Sequence, residues 1–307
     1  MSPNDPIESI LNKIRPAGYT GGRFADNDRI HRVSVTGDKH RERSGSIRLA
    51  NTGQVVIGWF RNHRTGESIP LGVDIAGERI SQAEMRRIQK EMEAKRTAEQ
   101  AQAAAASLRL WQAADAPNPN HPYLVRKGIQ PYSCRQKGQF LIIPAIDVSG
   151  NIKTLQTIES CGTKIFFSGG SAKGHFCPIG MIREAPQVAV CEGYATGCSI
   201  HEATGLPVVC AFNASNLAPV CSNLQTIYGT KFWIICGDDD RYTDGNPGRL
   251  GAEQAMMAIR RRGSSGRVVF PSFSGEHRLI PDIPKPSDMN DLHRLAGLTA
   301  VRKAIFT

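Results

Sequence analysis

Apolar positions along the chain change their period three times, and each change predicts a different kind of structure. Residues Ile7–Ala17 carry a helical spacing that stops near Pro16 and Gly18. From Arg23 to about Gly77, apolar and polar residues alternate between glycines. The segments Arg29–Val35, Ser46–Leu49 and Gln54–Phe60 therefore predict a small antiparallel sheet. Ser81 to Ala114 contains no Gly or Pro and is rich in Ala, Glu, Gln, Lys and Arg, which predicts a helix. Ser81 and Glu84 form a capping-box start. Met85, Ile88 and Met92 share one face, and Leu108 and Trp111 resume an apolar stripe later. The stretch Ala101–Ala106 offers little to pack, so the helix reads as a linker between modules.

Pro117–Asn120 marks a boundary. Strand-like runs follow at Gln139–Ile146, Ile152–Ile158 and Thr163–Phe167. Beyond Pro186 the texture is α/β. Short apolar runs at Val188–Cys191, Pro207–Phe212, Phe232–Cys236 and Arg267–Phe270 alternate with helical stretches at Tyr194–Ala203, Asn216–Thr226 and Gly248–Arg262. Such alternation predicts buried strands of a mostly parallel sheet flanked by helices. The expected organisation is a β-rich module over 1–80, a helical linker over 81–116, a basic α+β subdomain over 117–184 and an α/β domain over 185–307.

Acidic residues collect where those strands end. Val188–Cys191 runs into Glu192-Gly193, and Phe232–Cys236 runs through Gly237 into Asp238, Asp239 and Asp240. A third cluster, Asp288-Met289-Asn290-Asp291, precedes the final helix. Each has a plain reading: Glu192 as a helix cap, Asp238–Asp240 as an exposed turn, Asp288 as the start of the last helix. Taken together they line the carboxyl ends of strands in one sheet, where α/β folds bind ligands. Carboxylates gathered there repel one another unless a cation holds them, and Mg²⁺ takes oxygen ligands of this kind. Strand alternation turns Asp239 to the opposite side from its neighbours.

The 307 residues carry a formal net charge of +10, which favours a polyanionic partner. Between Arg29 and Arg48 six Lys/Arg face two acids, and Trp59 and Phe60 lead into Arg61, His63 and Arg64. A basic sheet bearing aromatics suits single-stranded nucleic acid, with Arg41, Arg43, Trp59, Arg61 and Arg64 as candidates. The alternative is a solvated edge with Trp59 in a small core. His121–Gly180 holds seven Lys/Arg and two acids, and ends in a glycine-rich loop, Ser168–Gly174, that carries Lys173. Such a loop can bring amides and a cation to phosphate. GxxxxGK[ST] is absent, which excludes a helicase motor of that class. The eight cysteines include no CxxC pair, so no zinc is expected, and no disulfides either. No apolar run is long enough for a membrane span and the start lacks a signal-peptide pattern, so a cytoplasmic location without membrane contact is expected.

Glu-Gly after one strand, Asp-x-Asp after a later one and a third acidic cluster together resemble the Toprim domain of bacterial-type primases, topoisomerases and some nucleases. The fuller wording is CEGYATG, then TGLPVVCAFNASNL, then GDDD with NPG, then DMNDL. It looks like the Toprim primases of conjugative plasmids, phages and mobile elements. Upstream, Pro144-Ala145-Ile146-Asp147-Val148-Ser149-Gly150, Leu155-Gln156 and Gly162-Thr163-Lys164-Ile165-Phe166 match the segment that precedes Toprim in those proteins. The resemblance implies a Toprim domain with a Rossmann-like sheet. It implies a DNA primase that makes short RNA primers on single-stranded DNA from ribonucleoside triphosphates. Mg²⁺ is the implied cofactor, Mn²⁺ its substitute, and a separate replicative helicase a further partner. On the matching residues, Glu192, Asp238 and Asp240 are catalytic. They hold metal together with Asp288 or Asp291. Lys164, Lys173, Gly193 and Gln156 contact nucleotide or template. The third cluster departs from the Asp-x-Asp-x-Glu form of replicative primases, which leaves Asp288 and Asp291 both open. A Toprim nuclease uses the same acids, a topoisomerase needs a tyrosine nucleophile and larger gating domains, and a non-catalytic single-strand-binding protein needs only the basic surfaces.

Overall fold

The computed structural model describes residues 5–38, 42–74, 80–229, 231–273 and 285–307. Of the candidates above, Arg41 lies outside them. The chain divides into two compact units, residues 1–96 and 97–307.

In the first unit, helix α1 (Pro6–Ile14) starts on Asp5, whose side chain accepts a hydrogen bond from the Ile7 N–H at 2.9 Å, with Pro6 at the first helical position. Five antiparallel strands follow in sequence order: β1 (Tyr19–Gly21), β2 (Asn27–Val35), β3 (Gly45–Asn51), β4 (Val55–Asn62) and β5 (Ser68–Asp74). The period-two pattern gives the sheet two distinct faces. One presents Val33, Val35, Ile47, Leu49, Val56, Phe60, Leu71 and Val73, and packs on Ile10 and Ile14 of α1. The other presents Val55 and Ile57 to Met85, Ile88 and Met92, which lie in the first turns of α2 (Gln82–Gln112).

The second unit begins with the remainder of α2. Its Leu110 and Trp111 pack on Ile142 and Leu155. The Ala-rich middle, expected to pack on little, is engaged as well. Ala103 is buried, and a Cβ placed at Gly169 would stand 3.6 Å from its methyl group. Small side chains here permit close approach of a loop. Helix α3 (Pro122–Lys127) is capped by His121 and closed by Gly128, whose φ is +64°. A four-stranded antiparallel sheet follows: β6 (Arg135–Lys137), β7 (Phe140–Ile146), β8 (Ile152–Ile158) and β9 (Lys164–Phe166). Asp147 closes the β7–β8 turn, accepting from the N–H groups of Ser149 and Asn151 and pairing with Lys153 at 3.0 Å.

The second sheet comprises β10 (Cys177–Ile179), β11 (Gln187–Cys191), β12 (Val208–Cys210), β13 (Phe232–Cys236) and β14 (Gly266–Val269), in the order β10-β12-β11-β13-β14. Strands β12, β11, β13 and β14 are parallel, and β10 runs antiparallel at the edge. The strand expected over Pro207–Phe212 is short, because Phe212 takes a left-handed φ of +72°. Helices α4 (Tyr194–Thr204) and α7 (Met289–Phe306, broken at Gly297) cover one face through Ala195, Cys198, Leu292 and Val301. Helices α5 (Ala214–Tyr228) and α6 (Pro247–Arg261) cover the other through Leu217, Val220, Ala252 and Met256. The chain leaves β11 for β12 on one side, then crosses to β13 on the other. The ends of β11 and β13 thus flank a topological switch point, the place where such sheets open a crevice. Among the described residues, no helix is long and apolar enough to cross a membrane, and all eight cysteines are unpaired.

Candidate active site

The crevice collects carboxylates from three elements. Glu192 follows β11, Asp238 and Asp240 follow β13, and Asp288 caps α7. The chemistry of crowding is visible in their proton affinities. Burial pushes the Glu192 carboxyl up to about 7, with Asp240 and Asp288 adding to the rise. Burial also lifts Asp238 well above the usual carboxylate range, reinforced by Asp288, Glu192 and Asp240. One oxygen of each, Glu192 Oε1 and Asp238 Oδ1, is buried without a hydrogen-bond partner.

Three helix N-termini partly offset this repulsion. The Ala214 N–H at the start of α5 favours the charged form of Glu192. The Gly248 N–H at the start of α6 donates to Asp240 Oδ2 at 3.0 Å. Asp288 accepts from the Asp291 N–H at 2.8 Å as the cap of α7. Asp291 itself accepts from the Ser287 N–H at 3.0 Å. Asp288 lies close enough to Glu192, Asp238 and Lys164 to perturb all three, Asp291 adds to the rise of Asp238, and each of the two accepts one backbone N–H. Asn290, between them, is buried and donates to the Lys127 carbonyl at 2.8 Å and to Ser199 Oγ at 2.9 Å, fixing the start of α7 against α3 and α4.

Asp239 turns the other way, as strand alternation predicts. Its buried carboxylate accepts from Arg249 Nε at 2.7 Å, from Asn246 Nδ2 at 2.9 Å and from Arg241, which together hold it well below the usual range. Its N–H donates to the Ser287 carbonyl at 2.7 Å, so the β13 loop is tied directly to the segment before α7. Arg249 in turn lies over the Phe270 ring, 4.1 Å from its centroid.

The opposing wall is cationic. Lys164, on β9, is exposed along its length, but its ammonium reaches the crevice. A Cβ built at Gly193 would stand 4.0 Å from Lys164 Nζ. Loss of hydration lowers the Lys164 pKa, opposed by Asp288 and Asp238 and assisted by Lys127. Phe166, two residues along β9, meets Phe212 edge-on at 5.2 Å, and the Phe212 N–H donates to the Glu192 carbonyl at 2.7 Å. These contacts seat β9 against the acidic edge. Gln156 is buried beside Phe166 in the β8–β9 register.

Other expected residues do different things. Gly193 caps α4 with φ of −88°, so its glycine answers to space rather than to backbone conformation; a Cβ there would stand 3.3 Å from Thr196 Oγ1. The glycine-rich loop is bound to α5. Asn216 accepts from the Gly174 N–H at 2.7 Å and donates to the carbonyls of Ala172, His175 and Ala211. Lys173 forms no hydrogen bond or ion pair with the acids among the described residues. In the first unit, Arg64 bonds the residues just after β2, the Gly37 carbonyl at 2.8 Å and Asp38 at 3.3 Å. Arg43, Trp59 and Arg61 belong to that unit too. Reading the sequence missed Lys127, whose place beside Lys164 and Asp291 comes from the packing of α3 on α7. It also missed the site role of Gly248. A Cβ there would stand 2.4 Å from the Asp238 carbonyl oxygen, so only a glycine lets α6 begin this close to the acid loop. The Asn246-Pro247-Gly248 wording was its only signal.

All the donors in this cluster are carboxylate oxygens, and two are buried without partners, a set that suits a hard divalent cation. Among the described residues, no three His, Cys, Asp or Glu side chains are already arranged to hold an ion. Mg²⁺, which keeps several of its waters, is the cation that needs fewest protein ligands.

The Toprim domain family matches residues 187–298. The DNA primase TraC of Escherichia coli is 32% identical over 325 aligned positions, covering 98% of this chain and 30% of the relative. A second DNA primase TraC of Escherichia coli is 34% identical over 309 positions, covering 91% of this chain and 20% of the relative. The chain thus spans less than a third of the length of these curated relatives. Among solved structures, the zinc-binding and RNA polymerase domains of the Aquifex aeolicus primase align with a TM-score of 0.45 at 13% identity, over 99% of this chain and 85% of that one. With Glu192, Asp238, Asp240 and Asp288 gathered at the carboxyl edge of its parallel strands, the stretch 187–298 is a Toprim domain.

Proposed function

We propose that the chain is a DNA primase, building short RNA primers de novo on single-stranded DNA from ribonucleoside triphosphates. One observation carries the reading. The carboxylates of β11, β13 and α7 converge opposite Lys164, which the neighbouring antiparallel sheet delivers to them. A crevice acidic on one wall and cationic on the other suits nucleotidyl transfer, where a triphosphate must be bound and a hydroxyl deprotonated. The similarity to DNA primase TraC along nearly the whole chain supports the same assignment.

In this reading Asp238, Asp240 and Asp288 would hold Mg²⁺, and Asp291 would brace the Ser287 N–H ahead of α7. Bound there, the cation supplies positive charge for the triphosphate and lowers the pKa of the attacking 3′-hydroxyl. Glu192, at the end of β11 beside them, accepts the hydroxyl proton. Lys164 binds the triphosphate or the template phosphate from the opposite wall, with Lys127 beside it. Asp239, Arg249 and Asn246 hold Asp238 and Asp240 in place without touching substrate. Thr196 and Gly193 leave the Lys164 ammonium room beside Glu192.

The test is an incubation of purified protein with single-stranded DNA, labelled ribonucleotides and Mg²⁺ or Mn²⁺. New oligonucleotides that a polymerase extends establish the activity; a shortened template establishes a nuclease instead. Synthesis unaffected by Glu192→Gln or Asp238→Asn would remove the site assignment.

A further inference from the structure

A second site lies in the first unit, on the sheet face that α2 only partly covers. There a cavity of about 250 Å³ opens between the strands and the first turns of α2, lined by Trp59, Arg48, Ile57, Met92, Glu93 and Arg96. Its charges are already matched. Arg48 forms a two-pronged bond with Asp28, both arms at 2.9 Å, and Arg96 pairs with Glu93 at 2.7 Å. An aromatic wall with neutralised polar rims suits an uncharged, flat, hydrogen-bonding ring.

The neighbouring row of the same face is unmatched. In the β2–β3–β4 register, Ile30, Arg48 and Trp59 stand side by side, and Arg32, Ser46 and Arg61 form the adjacent row. Side chains on one face of a strand recur every second residue, about 7 Å apart. Arg32 and Arg61 are exposed and have no acidic partner among the described residues. His63 is bonded to Ser46 at 2.8 Å; burial disfavours its protonation, and it lies close enough to both arginines for them to add to that. Like charges held together without a counter-ion call for an anion. Ile30, beside Arg48, is 61% exposed.

We propose that this face binds single-stranded nucleic acid, with one base stacked on Trp59 in the cavity and the adjoining phosphates held by Arg32 and Arg61. The spacing of the two rows matches the step from a base to the next backbone phosphate. A folded acidic protein segment would use the arginines but leave the cavity empty, which is why the base is the favoured occupant. The carboxylate cluster has no part in this argument, so the two readings stand or fall separately.

The full chain is tested by fluorescence anisotropy with a labelled thymidine oligonucleotide, its duplex, and heparin as a polyanion without bases. Trp59→Ala should weaken binding to the oligonucleotide about tenfold or more, Trp59→Phe should keep most of it, and heparin binding should be unchanged in both. Replacing Arg32 and Arg61 by Ala should lower the slope of log affinity against log salt by about 1.4, two phosphates' worth. Arg87→Ala, an exposed α2 residue paired with Glu84, should bind like the parent. A second measurement needs no variant. Cross-linking the unmodified chain to an oligonucleotide bearing bromodeoxyuridine should label the tryptic peptide Leu49–Arg61, which contains Trp59. Parent binding that is equal for duplex and single strand, oligonucleotide binding unchanged by Trp59→Ala, or cross-links confined to the second unit would each overturn the inference. Primer synthesis with an inert Trp59 would overturn it alone, and binding through Trp59 without primer synthesis would leave it standing.

Discussion

Arg249 Nε donates to Asp239 Oδ1 at 2.7 Å, on the side of the β13 loop facing away from Asp238 and Asp240. The middle acid of the triplet is therefore a strut. Its carboxylate is 4% exposed while the arginine is 43% exposed, so cutting the pair from the two ends has different consequences. Asp239→Ala leaves Arg249 free to take up water, but removes the anchor for Arg241 and Asn246 as well. We expect a loss of about 1–3 kcal/mol of stability and at least a tenfold fall in kcat for primer synthesis, with KM for nucleotide little changed. Thermal melts and steady-state kinetics on the same preparation check both. A fall in stability with kcat intact would make Asp239 a purely structural residue.

Glu192 and Asp238 set the response of the metal-free protein to pH. Both carboxyls bind their proton more tightly when folded than when unfolded. The unfolded chain therefore releases those protons first, and stability falls as pH rises, for Glu192 through about 7. In a chelator the Tm should drop between about pH 5 and pH 8. Mg²⁺ should restore it at the upper end and do little at the lower. Asp238→Asn should flatten the pH dependence and remove the response to Mg²⁺. Each kcal/mol regained is worth roughly 2–4 °C in a domain of this size. A Tm indifferent to both pH and Mg²⁺ would contradict the electrostatic reading of the cluster.

Gly248 is the position at which the smallest addition should matter most. The methyl group of Gly248→Ala would stand 2.4 Å from the Asp238 carbonyl oxygen, so the start of α6 must move and take its N–H from Asp240. Overpacking of this kind costs about 1–3 kcal/mol. Primer synthesis should fall at least tenfold while far-ultraviolet circular dichroism stays unchanged. Activity within twofold of the parent would show that the acid loop tolerates the shift.

Lys164 and Lys173 looked alike as candidate phosphate ligands, and the structure separates them. Lys164 Nζ reaches Gly193 and the acids, whereas the loop around Lys173 has its Gly174 amide taken by Asn216. Lys164→Ala should cut primer synthesis about a hundredfold, the scale of a lost charge clamp on a transferring phosphoryl group. Lys173→Ala should stay within twofold. Equal effects would mean that both lysines follow the template rather than the nucleotide.

Much of this molecule was legible in its residues because the informative patterns are local. Apolar runs ending in Glu192 and Asp238 identified strands, and the carboxyl edge of a parallel sheet then brought the acids together. Alternation alone gave the outward turn of Asp239. What stayed hidden depends on partners distant in sequence. Asn216 consumes the amide of a loop more than forty residues earlier, which no reading of the loop by itself reveals. The Ala-rich middle of α2 looked unpacked because small side chains carry little hydrophobic signal, yet Ala103 is buried at the approach of Gly169. Lys127 has no distinguishing neighbour in sequence; α7 brings it to the site through Asn290.

That asparagine also bears on how the protein can be taken apart. One amide joins the start of α7 to both α3 and α4, and the Phe166–Phe212 contact repeats the stitch at the other end of the crevice. An evolving or engineered chain that borrows the acidic sheet must therefore borrow the antiparallel sheet before it as well. Residues 97–307 are the portable unit, and the antiparallel sheet travels with the acids.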